Sequence, residues 1–276
     1  MNWVKRILFV VIVIYVALCI SACAFTDRFA FYPDNSPLEM PTGSVAEKIE
    51  IQTSDGEILV AIYAKADAGC PTFLNFHGNA QHLRGMVSIS NYYGRKGVGF
   101  LTPAYRGYSG STGKPTERGV RIDGLAAFDF LESGGLAASD IIIRGFSLGS
   151  SVAIGVAAER DATALILGAP FESGTRMGQE MMPVLPMSLI AGNAFRSDRL
   201  ASKVNEPVLI VHGDSDRLIP AKHSADLAEN FSQPVQRFVL EGYGHNNLLN
   251  AEFEQLVANF SAPFFPNCPS LQELAQ

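Results

Sequence analysis

Only four cysteines and one tryptophan occur in the 276 residues of this chain. So few cysteines exclude a disulfide-dense scaffold, and the core has to come from burial of apolar side chains. Positive charge is also in short supply: 21 Lys and Arg stand against 27 Asp and Glu, for a net charge of −6. With no basic stripe, a nucleic-acid partner is not expected. There is no internal repeat, no low-complexity tract, no glycine-rich dinucleotide fingerprint and no phosphate loop. No His or Cys pairs fall at metal-ligand spacing, so neither a metal nor a cofactor is called for. What remains is 47% hydrophobic and 17% charged, enough for one large α/β domain.

Beyond the N-terminus, β-branched apolar runs alternate with helical patterns. Strands are predicted at residues 47–52, 57–64, 71–77, 99–103, 141–144, 164–167, 207–212 and 235–240. Helical patterns cover residues 81–96, 150–158, 251–260 and the stretch after Pro115-Thr116-Glu117. Alternation of this kind implies a mostly parallel eight-stranded sheet with helices on both faces.

Gly145-Phe146-Ser147-Leu148-Gly149 is a G-x-S-x-G match between a predicted strand and a predicted helix. That is the context of a nucleophile elbow, a turn that exposes the serine hydroxyl at a helix N-terminus. A serine hydroxyl needs a base, and the base needs a third group to orient it. The strand at 207–212 runs into Gly213-Asp214-Ser215-Asp216. Asp216 is the candidate acid, and Asp214 is expected to brace the loop. The last strand ends in Gly242-Tyr243-Gly244-His245-Asn246, which makes His245 the candidate base. His77 and His212 end buried strands and are expected to bond to backbone. His82 and His223 open helices and are expected to be solvated. Acyl transfer also needs donors for the oxyanion. The N–H groups of Leu148 and of Asn79, in the loop His77-Gly78-Asn79-Ala80, are the candidates.

These segments occur together with Tyr105-Arg106-Gly107-Tyr108-Ser109-Gly110-Ser111, Gly113-x-Pro115-Thr116-Glu117 and Ala169-Pro170-Phe171. In combination they resemble the serine-aminopeptidase-like branch of the α/β-hydrolases. They are most similar to membrane-tethered α/β-hydrolase domain proteins, which include eukaryotic depalmitoylases and bacterial lipoproteins. The resemblance runs from about Arg28 to Phe260. It implies the α/β-hydrolase fold and a Ser147–Asp216–His245 triad, and it leaves the substrate open. The loop 105–113 is expected to brace the site loops. The interval between Gly168 and Pro207, where this fold carries its lid, is short and methionine-rich, so a minimal lid is expected. It is either small helices packed on the core or an apolar rim suited to acyl chains.

Lys5 and Arg6 precede an apolar run from Ile7 to Ile20, followed by Ser21-Ala22-Cys23. This reads as an export signal ending in a lipobox, with Cys23 the acylated first residue of the mature chain. An uncleaved membrane anchor is the alternative, although the apolar run is short for a span. The organisation that follows is residues 1–22 as signal or anchor, 23–46 as a membrane-proximal entry, 47–262 as the hydrolase domain and 263–276 as a tail. The tail is expected to hug the surface or fray. Cys70 and Cys268 are either a disulfide or two free thiols. The expected activity is that of a membrane-anchored, extracytoplasmic serine hydrolase cleaving small or carrier-bound acyl esters or thioesters. A peptidase of the serine-aminopeptidase type and a non-enzymatic binding lipoprotein are the alternatives.

Overall fold

The computed structural model describes residues 3–24 and 30–275, with the side chains of 22–24 outside the description. The lipidation expected at Cys23, like the entry residues Arg28 and Phe29, therefore falls outside the described side chains.

Eight strands form one sheet. They are β1 (Glu47–Gln52), β2 (Ile58–Ala64), β3 (Thr72–Phe76), β4 (Gly99–Pro103), β5 (Ile141–Phe146), β6 (Ala164–Gly168), β7 (Val208–Gly213) and β8 (Val235–Leu240). Their order is β1-β2-β4-β3-β5-β6-β7-β8. β2 runs antiparallel to both β1 and β4, and the pairs from β4 to β8 are parallel. This is the predicted fold. Every residue of β3, β4, β5, β6 and β7 is buried. Strands covered by helices on both faces read as continuous apolar runs for that reason. Leu74, Ile143 and Leu167 pack on one face with Val152 and Val156. Phe73, Ile142 and Ile166 pack on the other with Phe253 and Val257.

The parallel strands end along one edge, and the chain leaves that edge after Phe76, Phe146, Gly168, Gly213 and Leu240. Ser147, Asp216, His245, Asn79 and Leu148 all lie there. Behind it, the helix Leu148–Ala157 is buried along its whole length. It packs on the helix Glu117–Ser133, whose first turn is capped by Thr116 Oγ1 accepting the Gly119 N–H at 3.0 Å.

Two alternatives left open by the sequence are resolved. Cys70 and Cys268 are joined as a disulfide, with Cα atoms 4.7 Å apart. The tail does not fray: it forms the helix Pro269–Leu274, and Phe265, Cys268 and Leu271 are buried in the core. At the other end, residues Trp3–Ala24 are helical. Within it, the 19 residues Trp3–Ser21 have mean hydropathy 2.4 and no burial, long and apolar enough to cross a membrane. Trp3 and Val4 lengthen the run that looked short from Ile7 onward.

The lid interval holds three short helices, Gly174–Met181, Met187–Ile190 and Ser197–Ala201. Met187 and Ile190 pack inward, while Val184 and Leu189 are 77% and 78% exposed. Each expectation for this segment describes half of it.

Candidate active site

Ser147 joins β5 to the helix Leu148–Ala157 with φ +54° and ψ −120°. That left-handed backbone is costly for a residue with a side chain and persists only where the surroundings enforce it. Here the enforcement is backbone packing. A Cβ on Gly145 would collide with the Gly149 carbonyl, and a Cβ on Gly149 would collide with the carbonyls of Phe76 and His77. Only glycine lets the helix press this closely on β5 and on the loop after β3. Ala80 and Ala169, at φ +55° and +45°, show the same strain in the loops after β3 and β6. Strained positions gather at this edge of the sheet.

Three side chains from three strand ends meet there. Ser147 Oγ is 3.0 Å from His245 Nε2, and His245 Nδ1 is 2.7 Å from Asp216 Oδ2. Both distances are within hydrogen-bond range, so the sequence-predicted trio is brought together. The other oxygen of Asp216 accepts the N–H groups of Leu218 and Ile219 at 2.9 and 2.8 Å. Burial opposes the charge on Asp216, but hydrogen bonds from His212, His245 and the Ile219 N–H outweigh it and hold the carboxyl well below its usual range. The acid is thus ionised throughout the neutral range. Phe146 lies against the His245 ring, with centroids 5.0 Å apart. Asp214 accepts the Gly242 N–H at 2.8 Å and so braces the loop that leads to His245.

The candidate oxyanion donors sit at the start of the helix after β5 and in the loop after β3. Leu148 is the first residue of its helix, where an N–H has no intrahelical partner. The Asn79 side chain is spent on holding its own loop: Nδ2 donates to Ala30 O at 2.8 Å, and Oδ1 accepts from Tyr108 Oη at 2.8 Å and Tyr32 N at 3.0 Å. Gly78 packs against Phe146, with its N–H fixed by Gln81 Oε1 at 2.8 Å. The loop 105–113 braces this segment as expected, since Tyr105 also donates to His77 O at 2.8 Å.

Among the other histidines, His77 donates to Gly78 O, and burial pushes its pKa down to about 4. His212 bonds to Ile219 O at 2.8 Å, as expected, and it does more: the same nitrogen is 3.4 Å from Asp216 Oδ2. Its position four residues before the acid, at a strand end, was the available signal. His223 is a correction. It is buried at 1% exposure between Glu172 and Glu180 rather than solvated. Glu172 and Glu180 lie across the lid interval, and nothing in local sequence marks them as its partners.

The profile of the dienelactone hydrolase family matches residues 86–247, more than half the chain and a span that includes Ser147, Asp216 and His245. The chain belongs to the dienelactone hydrolase family. It is therefore an α/β-hydrolase, and the resemblance seen in the sequence motifs holds. The α/β-hydrolase domain-containing protein 17B of Homo sapiens is 32% identical over 200 residues, covering 71% of this chain and 68% of that protein. An uncharacterized protein of Mycobacterium tuberculosis is 30% identical over 230 residues, covering 80% of each. Among solved structures, an esterase of Pyrococcus furiosus superposes with a TM-score of 0.64 at 18% identity, covering 85% of this chain and 99% of that one. That likeness is one of fold.

Proposed function

We propose that this hydrolase cleaves carboxylic esters or thioesters through an acyl-enzyme on Ser147. The observation that carries the reading is the continuous relay from Ser147 Oγ through His245 to Asp216, at 3.0 and 2.7 Å. His245 Nε2 takes the hydroxyl proton as Oγ attacks the acyl carbon. Asp216 fixes the ring so that Nδ1 carries its proton, and it stabilises the imidazolium that forms. The N–H groups of Leu148 and Asn79 receive the oxyanion. Collapse of the tetrahedral adduct passes the proton from His245 to the departing alcohol or thiol. Water then gives a proton to His245 and attacks the acyl-serine, and the carboxylic acid leaves as Oγ is reprotonated. No other group is needed to balance these steps.

The chain is further proposed to work at a membrane, outside the cytoplasm, held through its N-terminus. The apolar helix Trp3–Ser21 supports the attachment, by lipid on Cys23 after cleavage or by the helix itself. The disulfide between Cys70 and Cys268 supports an oxidising compartment. The shortness of the lid, three helices of eight, four and five residues, supports an acyl group presented on a larger carrier.

The test is hydrolysis of nitrophenyl esters of increasing acyl length, with labelling by a fluorophosphonate. Ser147→Ala is expected to abolish labelling and to lower kcat by roughly three to six orders of magnitude with the fold intact. Undiminished turnover in that variant would remove Ser147 from the mechanism.

A further inference from the structure

His223 belongs to the helix Lys222–Ala228, which follows the loop that carries Asp216. Both nitrogens of its buried ring meet a carboxylate. Nδ1 is 2.5 Å from Glu172 Oε2, and Nε2 is 3.0 Å from Glu180 Oε2. A neutral imidazole offers one donor and one lone pair, and an ionised carboxylate only accepts. The doubly protonated ring alone satisfies both contacts. Glu172 lies in the loop after β6, and Glu180 lies in the last turn of the lid helix Gly174–Met181.

We propose that His223 is a positioning residue whose proton clamps the lid helix Gly174–Met181 beside the active-site edge, and that loss of the proton frees the far end of this helix. The inference deepens the proposed function and rests on that edge being where the acyl group enters.

Every charged neighbour bears on the clamp. From the lid helix, Arg176 reaches Glu172 at 2.5 Å, Asp226 at 2.8 Å and Glu180 at 3.3 Å. From the helix of His223 itself, Lys222 pairs with Asp226. From β8, Arg237 is turned to Ser224 Oγ and Ala221 O, at 3.1 and 2.9 Å. Within the cluster, Glu172, Glu180 and Asp226 carry three negative charges, and Arg176 and Lys222 carry two positive ones. The imidazolium supplies the third.

When the proton leaves, one carboxylate faces a lone pair. Glu172 is buried and keeps Arg176, whereas the Glu180 side chain is 47% exposed and can turn to water. The start of the helix stays fixed by Ser173, whose Oγ accepts the Arg176 N–H at 3.2 Å. Glu180 is thus the contact that opens. Burial disfavours the charged ring, but hydrogen bonds with Glu172 and Glu180 and their charges outweigh it and raise the pKa of His223. A raised value means that the clamp is fully present below about pH 6.5, the ordinary histidine value, and is lost as pH rises through the folded-state value.

Amide hydrogen exchange of the full chain across that range tests the clamp. After correction for intrinsic base catalysis, protection of residues 174–181 is expected to fall about tenfold with rising pH, the worth of one charge-assisted hydrogen bond, while β5 keeps its protection. Glu180→Gln should keep the helix protected and abolish the step, because the Gln amide can donate to the neutral ring. A wild-type lid with no step, or a step that survives Glu180→Gln, overturns the proposal. Ser147→Ala should show the same step as wild type, so a failure of the hydrolytic reading and a failure of the clamp are read separately. For long-chain nitrophenyl esters the same step should appear in KM and not in kcat.

Discussion

The Ser147 elbow and the lid lie along the same edge of the sheet and are built in opposite ways. The elbow is held by backbone against backbone. Its glycines touch carbonyl oxygens, its serine is strained, and its helix is buried throughout. The lid is held by side chains at one end and exposes apolar surface at the other. Its residues 181–195 contain no charged side chain. On the proposed function, the contrast separates two tasks. Bond chemistry needs reacting atoms fixed within a fraction of an ångström, whereas admission of a substrate needs a wall that moves. Rigid packing serves the first, and a small set of polar ties serves the second.

Glycine substitutions should show the contrast most strongly. Gly149→Ala places a methyl group against the carbonyls of Phe76, the last residue of β3, and of His77 just after it, where backbone cannot yield. A loss of about 3 kcal/mol or more in denaturant unfolding is expected, with loss of the Ser147 geometry. Gly192, in the lid, has φ +55° and nothing within 4 Å of its missing Cβ. Gly192→Ala should cost only the strain of a left-handed alanine, about 1 kcal/mol. Equal losses at the two sites would remove the distinction.

The same contrast explains what the sequence made legible. The elbow could be read because its constraints are local: two glycines, a serine between strand and helix, and a short, fixed spacing. Strand-end placement likewise singled out Asp216 and His245, which the fold brings beside Ser147 although the chain between them is long, because parallel strands deliver their C-terminal ends to one edge. The sheet was legible from its buried β-branched runs. His223 was not, since its environment depends on Glu172 and Glu180, which the lid's fold brings to it from a distant part of the chain. Nor was the docked tail: Cys268 is tied to Cys70 across 198 residues, and nothing local separates a disulfide from two thiols.

His212 extends the rigid side of the comparison. It ties the Asp216 loop to the end of β7 through Ile219 O, and it adds a second donor near Asp216 Oδ2. His212→Phe keeps the ring shape and removes the donor. Asp216 is held low, so its ionised form favours folding above the ordinary carboxylate pKa, and that contribution is lost as pH falls through the folded value. Without His212 the folded value moves up, and acid unfolding should move to higher pH. At neutral pH, kcat should drop about tenfold, the worth of one hydrogen bond to a charged group. His212→Gln, which restores an N–H near the same place, should recover part of both effects. A drop in stability with kcat unchanged at neutral pH would make His212 a structural residue only.

The smallest effect belongs to the outer face of the lid. Leu189 is 78% exposed, while Ile190 beside it is buried. If the outer face contributes little to folding, Leu189→Ser should change unfolding free energy by no more than about 0.5 kcal/mol. Ile190→Ser, one residue along, removes a packed side chain and buries a hydroxyl, which should cost about 2 kcal/mol or more. The pair measures how sharply the lid divides into a packed inner face and a free outer one. A large loss at Leu189 would mean that the outer face is packed in solution, and the lid would then belong with the elbow as part of the rigid frame.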